Sequence, residues 1–183
     1  MCKGNILCCL ISFIKIIEVN GKLTDHYDPK TNVIRLSDSV YDNASTAAIG
    51  VACHEAGHAV QYAMGYGPIR IRNAIIPATQ FGSKFSFVLL LIGLLLYSQP
   101  LFLLGIVLFS LTTVFQLVTL PVEFNASRRA MTTIDSLNIL TEEEQVGAKK
   151  TLRAAAMTYV MATLAALSQV LRLLVIFGRR RKN

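Results

Sequence analysis

Apolar and polar positions come first in short runs along the chain and then merge into long apolar stretches. Leu23 to Tyr27 and Val33 to Leu36 are two short runs flanking the turn-rich Asp28-Pro29-Lys30-Thr31-Asn32, which predicts a β-hairpin. Asn43 or Ser45 then offers an N-cap for a helix of about 20 residues. That helix should end where Gly65, Gly67 and Pro68 punctuate the chain, with Arg70 and Arg72 following in a linker.

From Phe85 to Tyr97 every residue except Ser86 is apolar or small, and Leu101 to Leu120 carries no charge. The turn Ser98-Gln99-Pro100 separates them. Two uncharged stretches about a turn predict a transmembrane hairpin. A span needs about 20 residues, which the first stretch reaches by including Phe81 to Lys84. No soluble domain of this size could easily cover both helices all round. Pro121 ends or kinks the second span, and Val122 to Asn138 is amphipathic. Thr141 and Glu144 form a capping box opening a long helix that reaches Phe177. Its part from Met157 to Phe177 holds one charge, Arg172, and predicts a third span.

The expected fold is therefore mainly α, a multi-pass membrane protein. An N-terminal apolar segment (1–20) precedes the β-hairpin and first helix (21–80), the transmembrane hairpin (81–120), an amphipathic helix (121–150) and a C-terminal apolar helix with a basic tail (151–183).

Composition agrees. Of 183 residues, 53% are hydrophobic and 16% charged, against about 25% charged in a typical soluble domain. That excludes a disordered chain or an acidic tail protein. The net charge of +7 does not point to nucleic acid, because Arg179, Arg180, Arg181 and Lys182 cluster at the end of an apolar helix. There they suit lipid headgroups, and the bilayer is the expected partner. Cys2, Cys8, Cys9 and Cys53 contain no CxxC spacing, which argues against a disulfide framework. Lys3 followed by Ile6 to Ile17 has the outline of a signal peptide. It lacks a small-x-small cleavage site and is interrupted by Lys15, so it reads as retained.

The chemistry sits in His54-Glu55-Ala56-Gly57-His58, an HExxH sequence. On a helix, positions four apart differ by about 40° in azimuth, so both imidazoles point one way. Two neutral imidazoles suit Zn²⁺, and Glu55 beside them can take a proton from water activated by the metal. A buried histidine is ordinarily a satisfied core residue. Two at this spacing around a glutamate, on a helix otherwise of Ala, Gly and Val, point instead to a metal. The expectation is one Zn²⁺ per chain.

Zinc needs a third protein ligand and an open position. No histidine follows closely after His58; the candidates are His26, Glu123, Asp135 and the acidic Glu142 to Glu144, which capping already explains. Topology favours Glu123, because a two-helix hairpin returns the chain to the side that it left. For the oxyanion of the reaction, His26 on the hairpin or Tyr159 at the start of the last apolar helix is the expected donor.

HEAGHAVQ, the hairpin, LVTLPVEFNASRRA, LRAAAMTYV and the upstream LTDHYDPKTNVIRLSDSVY together resemble the bacterial membrane-bound neutral zinc metallopeptidases, the YugP-like family. The resemblance runs from about Val19 to the C-terminus. It implies a gluzincin-type peptidase acting on peptide or protein substrates in the bacterial cell membrane, with His54, His58 and Glu123 as ligands and Glu55 as catalytic acid/base. It also implies a layout similar to HtpX-like proteases, with membrane helices between the motif helix and the third ligand. Family members usually begin with a transmembrane helix and a longer region. Here residues 1–20 precede Gly21, so a truncated or misassigned start is expected. Ser127 stands where many gluzincins place an aspartate that bonds a zinc-bound histidine, leaving Ser127 and Asn125 as candidates for that role.

Two other readings compete with a membrane-anchored endopeptidase. One is an intramembrane protease of the site-2 kind, with HExxH inside a span and an aspartate, Asp135, as third ligand. The other is a membrane scaffold in which the motif is inert. Arg70, Arg72, Lys84, Arg128 and Arg129 favour a cytoplasmic catalytic side.

Overall fold

The computed structural model describes residues 14–180. Cys2, Cys8 and Cys9, most of the N-terminal apolar segment and the last basic residues lie outside them. Three strands, Lys15–Val19 (β1), His26–Asp28 (β2) and Val33–Ser37 (β3), form a sheet in the order β1-β3-β2. The hairpin expected from the two short runs is β2–β3, antiparallel, with Tyr27 opposite Ile34. Its turn is held by the Asp28 carboxylate, which accepts from the Lys30 N–H and the Thr31 hydroxyl and pairs with Arg35 at 2.6 Å. The Arg35 guanidinium holds the Asp28 carboxyl well below the usual carboxylate range.

The end of the 1–20 segment contributes β1, which pairs parallel with β3, Lys15 opposite Val33. The hairpin pattern alone did not predict this strand. Lys15 and Glu18, which interrupt the apolar run, are exposed at the sheet edge.

Four helices follow among the described residues: Thr46–Ala63 (α1), Gly67–Leu95 (α2), Gln99–Ser136 (α3) and Glu142–Arg180 (α4). Ser45 caps α1, its side chain accepting the Ala48 N–H at 3.3 Å, and Gly65 leaves the helix at φ +61°. Thr141 and Glu144 make the expected capping box on α4, each side chain taking the other's backbone N–H, at 3.3 and 2.9 Å.

One expectation needs correction, and one alternative is narrowed. Arg70 and Arg72 are not in a linker: α2 already begins at Gly67, because Pro68 falls in the first turn, where its missing N–H costs nothing. Of the two effects expected of Pro121, ending the helix or kinking it, ending does not occur. α3 runs through it to Ser136, losing only the bond that the Pro121 nitrogen would have given the carbonyl four residues earlier.

The described residues up to Ile69 with Val122–Met157 form one compact unit. Ile34, Leu36, Val40, Ala48 and Ala56 make one core where the sheet meets α1, and Ile134, Leu140 and Ala148 make another. Val122, Ala126, Ala130 and Ile134, spaced by four along α3, are fully buried. Alanine in the middle of that stripe keeps it thin and lets another helix approach closely.

Arg70–Pro121 and the described residues from Thr158 onward form the second unit. Phe102, Ile106 and Leu173 are its core. Gly93 fits because the backbone of Phe102 runs against it, a Cβ there falling 2.5 Å from the Phe102 nitrogen. Phe85, Phe87, Leu91, Leu104, Val107, Leu171 and Val175 are exposed, an apolar exterior that hydrocarbon accepts and water does not. α2, α3 and α4 are long and apolar enough to cross a membrane. The protein is a mainly helical membrane protein with a small sheet.

Candidate metal centre

α1 carries the HExxH residues, and its fourfold spacing brings the His54 and His58 rings to 4.7 Å between centroids, nearly perpendicular at 89°. Across from them α3 presents Glu123. Its Oε2 lies 3.3 Å from His54 Nε2 and 3.7 Å from His58 Nε2. This approach depends on Gly57, between the two histidines, because a Cβ there would lie 2.7 Å from the Ala126 carbonyl oxygen. Glu123 is almost fully buried at 4% exposure, and an unpaired carboxylate in that position would be costly.

A further layer of side chains holds the two imidazoles. Ser127 Oγ is 3.1 Å from His54 Nδ1. Gln61 Oε1 is 3.0 Å from His58 Nδ1, and Gln61 Nε2 donates to the Val122 carbonyl and to Asn125 Oδ1. Asn125 Oδ1 also accepts from Arg129 Nε at 2.8 Å. Ser127 and Asn125 thus divide the supporting role, one reaching His54 directly and the other His58 through Gln61.

Glu55 is buried, and its Oε2 accepts the backbone N–H of Tyr27 on β2 at 2.9 Å. Burial pushes its carboxyl up, against the lowering influence of His58 and His54. Burial alone would lower the His58 imidazole, but the bond to Glu123 and the charges of Glu123 and Glu55 outweigh it and the ring is raised. Cys53, next to His54, is pushed up to about 11 by burial, so it is a thiol and an inert neighbour.

Two imidazole nitrogens and one carboxylate oxygen are the donor set of a zinc site with one open position. His54, His58 and Glu123 offer one ligand atom each, all within 4.8 Å of one another. Tetrahedral bonds of 2.0–2.1 Å would put ligand atoms about 3.3 Å apart. The 3.3 and 3.7 Å separations from Glu123 are close to that spacing.

The other expected residues are not in this group. His26 is exposed, its Nδ1 2.7 Å from the Thr24 carbonyl. It pairs with Arg35 on β3, so by strand alternation its ring faces away from Tyr27 and the α1 side of the sheet. Tyr159 lies on α4 in the second unit. Asp135 is exposed and lies outside the group, and α1 is not among the described helices long and apolar enough to cross a membrane. Sequence reasoning missed Gln61 and the Tyr27 amide. The glutamine lies three residues past His58, on the same helix face, and that spacing was the available signal.

Residues 9–178 match the family described as "Putative neutral zinc metallopeptidase". The chain is also 48% identical over 164 residues to "Putative membrane protease YugP" of Bacillus subtilis (strain 168), an alignment spanning 90% of this chain and 73% of the relative. No solved structure matches the chain. An HExxH helix, a buried glutamate facing it and a family match over nearly the whole length converge: the chain belongs to the "Putative neutral zinc metallopeptidase" family.

Proposed function

We propose that this protein is a membrane-anchored endopeptidase holding one Zn²⁺ through His54, His58 and Glu123 and cleaving peptide bonds with Glu55 as proton carrier. The observation that carries the reading is the convergence of the three donors beside a buried glutamate that is not one of them. Bound there, zinc would supply a Lewis acid and a water acidic near neutral pH.

Glu55 does the proton work. The Tyr27 N–H anchors Oε2, leaving Oε1 to accept a proton from the attacking water and return it to the departing amine nitrogen. Its burial raises the proton affinity of the carboxylate, which suits a group that must hold that proton until the amine leaves. β2 is an edge of the sheet, and an extended substrate pairs along it as an added strand. Of the two oxyanion donors, Tyr159 is retained for its place in the LRAAAMTYV block. His26 is set aside, because its ring faces away from α1.

The site lies on the cytoplasmic side of a bacterial cell membrane, the side favoured by Arg70, Arg72, Lys84, Arg128 and Arg129. The test is zinc analysis of the purified protein together with hydrolysis of an unfolded protein substrate. A zinc-free protein without hydrolysis would support an inert scaffold instead.

A further inference from the structure

Gln61 is fully buried, three residues beyond His58 on α1. A carboxamide shut away from water must find partners for its hydrogens and its oxygen inside the protein. It does so at three atoms: the Val122 carbonyl at 2.8 Å, Asn125 Oδ1 at 3.0 Å and His58 Nδ1 at 3.0 Å.

A backbone atom decides which way this amide points. A peptide carbonyl can only accept, so the group facing Val122 is the NH₂. Asn125 is oriented in the same manner. Arg129 Nε can only donate, so the Asn125 atom between Arg129 and Gln61 is the oxygen. The Gln61 atom facing His58 is then its oxygen, and His58 Nδ1 must carry a hydrogen. The lone pair of His58 is left on Nε2, the nitrogen 3.7 Å from Glu123 Oε2. His54 has no such lock, because the Ser127 hydroxyl can donate to its Nδ1 or accept from it.

We infer that Gln61 is a positioning residue of the metal centre, fixing the tautomer and ring plane of His58 and tying that ring to the turn of α3 that carries Glu123. The inference rests on the reading of His58 as a zinc ligand and deepens it. A ligand imidazole whose other nitrogen is held binds without first rotating or moving its proton. An amide does this without adding charge, so Glu123 is left as the anion opposing the metal.

The wild-type full chain in detergent gives the first test. Ring-nitrogen NMR of the metal-free protein, at a pH where His58 is neutral, should show the hydrogen on Nδ1. A hydrogen on Nε2 would overturn the inference, whatever any variant does. Gln61→Met keeps the length and removes all three hydrogen bonds. Its zinc affinity, measured by competition with a chelator, should fall about 10- to 100-fold, and the His58 ring should show mixed tautomers. His58→Ala is the control. If His58→Ala loses zinc while Gln61→Met keeps wild-type affinity, the positioning role is overturned alone. If His58→Ala itself binds zinc like wild type, the ligand reading beneath it is overturned as well.

Discussion

A Cβ added to Gly57 would sit 2.7 Å from the Ala126 carbonyl oxygen and 3.2 Å from its Cα, both backbone atoms that cannot swing aside. Gly57→Ala should therefore move α3 away from α1 and carry Glu123 with it. Alanine gains about 1 kcal/mol in helix propensity, but overpacking costs about 1–3 kcal/mol. A lower melting temperature and weaker zinc binding are expected, and a rise in melting temperature would contradict the close approach.

Glu123→Ala should leave two imidazoles to hold the metal. Zinc content after dialysis is expected to drop well below one per chain, because zinc in such sites takes three protein ligands. Asp135→Asn, altering an exposed side chain outside the group, should retain zinc in full. The reverse pattern would reassign the third ligand.

Glu55→Gln should keep zinc and lose hydrolysis. The amide oxygen can still accept the Tyr27 N–H, so the helix and the metal donors stay in place. Removing a general base of this kind costs about 10²- to 10⁴-fold in kcat. Turnover at the wild-type rate on an unfolded substrate would discard the mechanism.

The metal-free protein should lose stability as pH rises. His58 is raised above its ordinary value, so its contribution is complete below the unfolded value of about 6.5 and disappears as pH climbs through the folded one. Glu55, raised by burial, changes in the same sense, because folding favours its protonated form. Zinc reverses the trend, since its ligands must be deprotonated. Thermal melts of metal-free and zinc-loaded protein between about pH 6 and pH 8 should slope in opposite directions.

For the oxyanion, His26→Ala should hold kcat within ten-fold of wild type at equal zinc content, whereas Tyr159→Phe should fall beyond ten-fold, as the loss of such a donor does. A large fall in His26→Ala would mean that the strand turns its ring toward substrate after all.

Apart from Glu123, which the return of a two-helix hairpin placed beside His54 and His58, what could be read from the letters was local. HExxH on a capped helix, the Thr141 to Glu144 box and the turn at Asp28 to Asn32 each depend on residues within one or two turns of chain, where spacing alone decides geometry. The strand β1 was not legible, because it pairs in parallel with a partner 18 positions away and its two charges hide the apolar pattern. Gln61 looked like any polar residue past a motif until α3 closed over it. The Tyr27 amide that holds Glu55 belongs to the backbone, which has no letter of its own. At Pro121 the letters left ending and kinking both open, because a proline removes a bond without deciding whether the helix resumes beyond it.

The unit that holds the metal centre is assembled from two stretches of chain separated by residues 70–121. Its timing during synthesis follows from that order. When His58 is made, Glu123, Asn125 and Ser127 are still uncoded into peptide, and ribosomes adding 5–20 residues per second need roughly 3–13 s to reach Glu123. Throughout that interval α1 has Glu55 and two imidazoles but no carboxylate from α3 facing them. The donor group of His54, His58 and Glu123 is therefore complete only after both apolar stretches of the hairpin have been translated.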